Sequence, residues 1–187
     1  MIFTDKEIYT ACKKIAPAFG FDPKLIFAIN QQECEHRVVD ADGKFRFHPD
    51  LFRADKCRLE QRFYDKYVER QNEFATTTEG LLALSWGIMQ MMGLSLFECG
   101  YFQWWFDQQG ESQKEYFKES MNEVAVMKAL NWYVVNLEAM ITWGCRHLDK
   151  KRKLAGGNIE RALDLWNGDL SGGYRKEVLD RIPLIKF

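Results

Sequence analysis

The chain contains no long uninterrupted run of apolar residues and carries almost no net charge. A helix that spans a membrane needs about 20 consecutive apolar residues, and no run in this sequence of 187 residues approaches that length. The net charge is −1 at pH 7, so nothing favours binding to nucleic acid or attraction to a strongly anionic surface. The first residues lack a basic segment followed by an apolar stretch, so we expect synthesis in the cytoplasm without a signal peptide.

The sequence also lacks the motifs of metal and nucleotide sites. Cys34, His36, His48 and Cys57 are residue types that bind zinc, but their spacing matches no zinc pattern. No glycine-rich loop for phosphate is present, so we expect neither a metal nor a cofactor. The five cysteines are an odd number without framework spacing, which favours a reducing compartment. Cys34 and His147 formally offer a nucleophile and a base, but no surrounding motif supports that pair.

The chain is rich in apolar and aromatic residues. Hydrophobic residues make up 47% of the sequence and charged residues 28%, which is ordinary for a globular domain that buries a core. The aromatic share is 14%, with six Trp. Surplus aromatic rings either line a groove for sugars, where their faces stack on the ligand, or belong to the core, and the core is the expectation for most of them.

Capping signals predict the first helices. Thr4 and Glu7 form a capping box, and Gly20 is expected to end the helix that follows. Asp22 with Pro23 then offers a helix start, with Pro at the first helical position.

The same signals continue to the end of the sequence. A long helix is predicted from the capping box at Ser120 to about Lys150, and Asn158 is expected to cap a helix that runs through Trp166. A last helix follows Gly172 and ends before Pro183. No strand pattern is convincing, and no linker divides the chain. We therefore predict a single, mostly α domain over residues 1–187.

Three short segments carry candidate chemistry. Residues 29–34 read INQQEC and place Glu33 at the end of an apolar helix pattern. Residues 85–93 read SWGIMQMMG, and residues 162–168 read ALDLWNG. A carboxyl group that is partly buried among apolar side chains has a raised pKa, because burial disfavours its anion, and such a group can act as a general acid near neutral pH. Taken alone, the segment favours a surface Glu33 in a polar run over a buried acid.

Together these segments resemble the lysozyme-like domain of soluble lytic transglycosylases, which cut the glycan strands of bacterial peptidoglycan. Members carry an apolar helix ending in Glu-Ser, a segment of the form SWGLMQIMG and a third motif Ala-x-x-x-Tyr-Asn-Gly. Here Cys34 replaces the Ser and Trp166 replaces the Tyr. Residues 58–68 (RLEQRFYDKYV) and 143–148 (WGCRHL) are similar to stretches of a subgroup frequent in bacteriophages. The resemblance implies a mostly α, lysozyme-like fold of the goose-type class.

The resemblance also implies roles for individual residues. Glu33 would be the general acid and base, and Trp166 would donate a hydrogen bond to it through the indole N–H in place of the family's Tyr. Glu60 is the leading candidate for a second carboxylate, although it equally fits an ion pair on a helix surface. Asp40, Asp42, Asp50 and Asp55 are weaker candidates. The residues expected to bind the substrate are Tyr64, Ser85, Gly87, Met89, Gln90, Trp166, Asn167 and Tyr174.

Three functions stay open at this point. The first is a lytic transglycosylase that acts on the cell wall, either as a phage endolysin or as an enzyme carried in the virion. The second is a muramidase, which would hydrolyse the same bond with the help of Glu60 or a loop aspartate. The third is a glycan-binding or structural module of the virion without activity. The expected partners are peptidoglycan strands and, in a virion, other virion proteins.

Overall fold

The computed structural model describes residues 3–34, 81–82, 85–109, 123–168 and 170–187. Those residues are mostly helical, as the sequence predicts. Within them, no helix is long and apolar enough to cross a membrane. The chain divides into two compact units, one formed by residues 1–38 and 135–187 and the other by residues 39–134. The lysozyme-like fold and the single domain stay predictions.

The first unit begins with α1 (Asp5–Ile15). The capping box is present: the Thr4 hydroxyl accepts from the Glu7 backbone N–H, and the Glu7 carboxylate accepts from the Thr4 N–H at 2.8 Å. These bonds satisfy N–H groups that have no partner within the helix. A 3-10 turn (Ala16–Phe19) follows, and the chain then leaves the helical direction at Gly20, whose φ is 71°. The left-handed conformation favours glycine at this position.

Helix α2 (Pro23–Cys34) is the central element of the first unit. It starts at the predicted residue: Pro23 takes the first position, and the Asp22 carboxylate accepts from the Lys24 N–H at 2.8 Å. Its middle turn has no accessible surface, because the residues there pack against both neighbouring helices; they are Ile26, Phe27, Ala28 and Ile29. The Phe27 ring meets the ring of Tyr9 edge-on at 5.4 Å between centroids. Burial on this scale fixes α2 and therefore the position of Glu33 in its last turn.

The predicted long helix from Ser120 to Lys150 is wrong in one respect, because the structure divides it into two helices. The helices are α5 (Glu123–Val135) and α6 (Leu137–Leu154), numbered after α3 and α4 of the second unit. Between them Asn136 adopts an extended conformation with φ −111° and ψ 97°, and its side chain accepts from the Ala139 N–H at 3.0 Å. Asn is a strong N-cap residue, so this side chain starts a new helix in the middle of an apolar stretch.

The last two helices lie where the sequence predicts them. Helix α7 (Ile159–Asn167) starts at Asn158, whose side chain accepts from the Arg161 N–H at 2.9 Å, and ends at Gly168 with φ 76°. Helix α8 (Gly173–Arg181) starts after Gly172. α8 packs on α2 and on α7, while α7 packs on α6. This packing brings the ends of α2, α7 and α8 into one region.

In the second unit, residues 85–93 form a small hairpin. Strands β1 (Ser85–Trp86) and β2 (Met91–Met92) pair antiparallel, with Ser85 opposite Met92. No strand was predicted here from the sequence, because two residues are too few for an alternating pattern to show. The buried Trp86 ring donates its indole N–H to the Leu81 carbonyl at 2.9 Å, which ties the hairpin to the preceding residues.

The second unit also contains α3 (Gly93–Glu98), α4 (Tyr101–Asp107) and α5. The Tyr101 ring packs edge-on against Tyr133 at 5.3 Å, and its hydroxyl donates to the Ala129 carbonyl. Trp104 on α4 faces Trp132 on α5 at 5.6 Å between ring centroids. Most of the aromatic residues of α4 are buried, in agreement with the expectation that they belong to the core.

Candidate functional site

Glu33 lies at the boundary between the apolar and the polar part of α2. One turn earlier, Ile29 has no accessible surface and Asn30 is 2% exposed. Glu33 itself is half-buried. The helix thus carries Glu33 from the buried core to a partly exposed position.

Two side chains from other helices converge on the carboxylate of Glu33. The Tyr174 hydroxyl, on α8, donates to Glu33 Oε1 at 2.7 Å. The Trp166 indole N–H, on α7, donates to the same oxygen at 3.2 Å. Hydrogen bonds to a charged acceptor are stronger than those between neutral groups. The two bonds therefore fix the carboxyl group in one orientation.

Neither donor exchanges protons with Glu33 under ordinary conditions. An indole N–H only donates. The Tyr174 phenol is 7% exposed, and burial raises its pKa well above the ordinary value, with further increases from the nearby Glu33 charge and from the hydrogen bond to it. Tyr174 therefore stays a neutral donor across the range in which a carboxyl group titrates.

This arrangement determines which oxygen of Glu33 carries a proton. Trp166 and Tyr174 both donate to Oε1. A donor disfavours a proton on the oxygen that accepts from it, so these two bonds favour Oε2 as the oxygen that carries the proton of the acid form. Oε1 is thus the oxygen that Trp166 and Tyr174 hold.

The Trp166 ring packs against the ring of His147 on α6. The two rings meet edge-on with centroids 5.1 Å apart. His147 is 4% exposed; burial above all, then the charges of Lys151 and Lys150, lower its pKa to about 3. The imidazole is therefore neutral at neutral pH and serves as packing for the indole, and no charge of its own acts on Glu33.

The ends of α7 and α8 are joined by an ion pair next to the two donors. Arg175 Nη1 lies 3.3 Å from Asp164 Oδ2, and Asp164 is 8% exposed. Asp164 precedes Trp166 by two residues and Arg175 follows Tyr174 directly. The pair therefore holds together the two helix segments that carry the donors.

Of the predicted site residues, the structure brings Glu33, Trp166 and Tyr174 together. Asn167 is exposed at the last position of α7, directly after Trp166. Glu60 and Tyr64 lie outside the described residues, as do the loop aspartates. Whether a second carboxylate exists at the site therefore stays a prediction.

The other predicted substrate contacts belong to the hairpin of the second unit. Gly87 has φ 68° and Gln90 φ 45°, and the Gln90 side-chain amide donates to the Gly87 carbonyl at 2.9 Å, closing the turn. Ser85 is 5% exposed and Met89 has no accessible surface, whereas Gly87 and Gln90 are half-buried. Gly87 and Gln90 thus offer surface to a ligand in this conformation, and Ser85 and Met89 support the turn. Substrate binding by all four stays a prediction.

Two features of this site were not predicted from the sequence. Tyr174 was expected to bind the substrate rather than Glu33 itself, because 141 residues separate the two and only the packing of α8 on α2 unites them. His147 was considered only as a base for Cys34, whereas the ring lies against Trp166. The signal in the sequence is an i, i+3 and i+4 pattern that puts His147 on the buried face of α6.

Potential metal ligands and two buried cysteines also occur among the described residues. Among them, no group of three or more His, Cys, Asp or Glu side chains is placed to hold a metal ion. Cys12 and Cys145 are fully buried thiols; burial raises the pKa of Cys12 to about 12 and also raises that of Cys145. Both behave as apolar core residues rather than nucleophiles.

Comparison of the chain with protein-family models, with curated proteins and with solved structures found no match in any of the three.

Proposed function

We propose that this protein is a peptidoglycan lytic transglycosylase that cleaves the β-1,4 bond between N-acetylmuramic acid and N-acetylglucosamine. The observation that carries the proposal is the half-buried Glu33 with two donors on one oxygen, Trp166 and Tyr174. That arrangement suits a single acid and base. The resemblance of residues 85–93 and 162–168 to the motifs of such enzymes supports the same substrate.

In the first step Glu33 acts as general acid. Its Oε2 proton passes to the oxygen of the glycosidic bond, that bond to C1 of the muramic acid breaks, and C1 develops oxocarbenium character. The carboxylate that forms at Glu33 is stabilised by the N–H of Trp166 and the O–H of Tyr174, since both donate more strongly to an anion than to a neutral carboxyl group.

In the second step Glu33 acts as general base. Its carboxylate takes the proton from the C6 hydroxyl of the same muramic acid, and the C6 oxygen bonds to C1 to close a 1,6-anhydro ring. One proton has then left Glu33 and one has returned, so the residue is ready for another turnover. No water enters the reaction, and no second carboxylate is needed to activate one.

The natural setting that we propose is the bacterial cell wall during phage infection or release, with the protein acting as an endolysin or as a part of the virion. Peptidoglycan strands are the partner. The muramidase alternative depends on Glu60 or a loop aspartate and predicts a different product from the same bond.

The test is mass spectrometry of the fragments released from purified peptidoglycan. We expect products with 1,6-anhydromuramic ends, and we expect Glu33→Gln to release none while it keeps the parent's folding and glycan binding. Glu138→Gln is the matched control, because that carboxylate is exposed and its ion pair with Lys14 contributes little. It should release the same fragments as the parent.

Other outcomes of this experiment would contradict the proposal, each in a different way. Reducing muramic ends identify hydrolysis and direct the search to Glu60. Equal release by the parent and by Glu33→Gln overturns the assignment of Glu33. No release from several types of wall, with glycan binding intact, identifies a binding module.

A further inference from the structure

One face of α8 makes a continuous series of polar contacts with the last turn of α2. Tyr174, Glu177 and Arg181 are spaced three and four residues apart, so they lie on the same side of the helix. Opposite them are two consecutive residues of α2, Gln32 and Glu33.

Gln32 takes part in this series with both ends of its amide. Its Nε2 donates to the carboxylate of Glu177, and its Oε1 accepts from Arg181 Nε at 2.8 Å. The adjacent residue, Glu33, accepts from Tyr174. The side chain of Gln32 therefore spans two residues of α8 that are one turn apart, and it does so directly beside the candidate acid.

We propose that Gln32 is a positioning residue that sets the register of α2 against α8 and so holds Glu33 Oε1 within reach of Tyr174 and Trp166. The reasoning is geometric. An amide that donates to one residue and accepts from another one turn away fits only one axial position of the helix, because a shift of either helix along its axis breaks one of the two bonds. Both partners are charged, which makes each bond stronger than a neutral pair.

Ordinary packing contributes less to the register at this end of α2. The middle of the helix is buried, but Gln31, Gln32 and Glu33 are all half-buried. At such a helix end, the polar contacts determine the exact axial position of the last turn of α2 relative to α8. A misplacement of about 1 Å at a reacting group costs about a hundredfold in rate.

Gln31 provides a matched control. It is the same residue type, in the same turn and with the same half-buried exposure. Gln32→Met removes both polar bonds and keeps the length of the side chain, and Gln31→Met makes the identical chemical change one position away. Any effect specific to Gln32 therefore reports the contacts with α8.

The first readout is nuclear magnetic resonance of the Trp166 indole N–H, assigned by its loss in Trp166→Phe. It needs no activity, so it stands even if the proposed function fails. A hydrogen bond to a carboxylate moves this resonance downfield, and the resonance follows the titration of Glu33. We expect Gln32→Met to move it toward its position in Glu33→Gln and to weaken the titration, whereas Gln31→Met leaves both unchanged.

The second readout rests on the proposed function. We expect Gln32→Met to lower kcat at least tenfold with KM changed by less than threefold, and Gln31→Met to match the parent. In a double-mutant cycle, Glu177→Leu should add little to Gln32→Met, since the contact is already lost. An unchanged Trp166 resonance in folded Gln32→Met overturns the positioning role. Absence of activity in the parent, with the resonance shifted as expected, overturns only the proposed function.

Discussion

Gly93 lies so close to the backbone of Leu81 that a Cβ atom added to it would be 2.6 Å from the Leu81 carbonyl oxygen and 2.7 Å from the Leu82 Cα. Backbone atoms cannot move aside as the end of a flexible side chain can. Position 93 in the second unit therefore requires glycine, because any other side chain would clash with the backbone of Leu81 and Leu82.

We predict that Gly93→Ala is destabilising because it overpacks this contact, by roughly 2–3 kcal/mol. Gly100→Ala is the control. Gly100 also occurs in a helix boundary, but a Cβ there meets nothing within 4 Å and only its φ of 82° is strained, at about 1 kcal/mol. Urea denaturation of both variants checks the difference, and an equal loss in the two would show that the contact with Leu81 relaxes freely.

The two donors at Glu33 lead to a prediction about pH dependence. In the proposed reaction Glu33 must start protonated, so activity falls as pH rises and its proton is lost. Tyr174→Phe removes a donor that stabilises the anion, so protonation persists to higher pH. We expect the alkaline limb of the pH–activity profile to move upward by about one unit, the equivalent of one hydrogen bond to a charged group, with a lower rate at the optimum.

Tyr133→Phe is the matched control for that experiment, because it deletes a phenolic oxygen elsewhere. The alkaline limb should stay where the parent has it. A shift of the same size in Tyr133→Phe, or no shift in Tyr174→Phe, would show that the alkaline limb does not report the protonation of Glu33.

Two neighbouring tyrosines of the second unit provide a prediction about stability. The Tyr133 hydroxyl is fully buried and has no hydrogen-bond partner in the described structure, whereas the Tyr101 hydroxyl donates to the Ala129 carbonyl. Removing an unpaired buried polar group is neutral or stabilising, and removing a paired one costs about 1 kcal/mol. Thermal unfolding should therefore give Tyr101→Phe a lower Tm than the parent and Tyr133→Phe an equal or higher Tm.

His147 makes stability depend on pH. Its folded pKa is about 3, mainly because it is buried, while an unfolded histidine titrates near 6.5. Between these two values the unfolded chain binds a proton that the folded chain does not. The stabilisation is therefore complete above about pH 6.5 and is lost as pH falls toward 3.

The measurement is the free energy of unfolding between pH 4 and 7 for the parent and for His147→Phe. Between about pH 4 and pH 6 we expect the slope of the parent to exceed that of the variant by about 1.4 kcal/mol per pH unit, which is the linkage of one proton, and the two slopes to converge toward pH 7. Carboxylates titrate equally in both proteins and cancel in the comparison. Equal slopes would mean that the folded protein protonates His147 over the same pH range as the unfolded chain does.

The local features of the fold could be predicted from the sequence. Asp22 with Pro23, Asn158 and Gly172 mark helix boundaries where the structure has them, because capping acts within one turn and needs only neighbouring residues. The break at Asn136 was missed, since a single Asn in an apolar run is also tolerated inside a helix and the competition is decided by packing.

The candidate site was only partly predictable for a related reason. The Glu33 side chain and its Trp166 partner could be expected together through the resemblance to a family, and the structure does place their atoms 3.2 Å apart. The Tyr174 bond and the Gln32 contacts depend on the angle and register at which α8 meets α2. Those quantities arise from many side chains packing at once, and no short pattern in the sequence encodes them.

The first unit is assembled from two stretches of chain with residues 39–134 between them, and this has a consequence for biosynthesis. A ribosome releases Glu33 long before Trp166 and Tyr174 exist, so the nascent chain cannot hold the carboxylate in its working geometry. Joining the stretches closes a loop whose entropic cost grows as about (3/2)RT ln n. The three side chains can therefore meet only after α8 has been synthesised, and the proposed activity depends on that last helix.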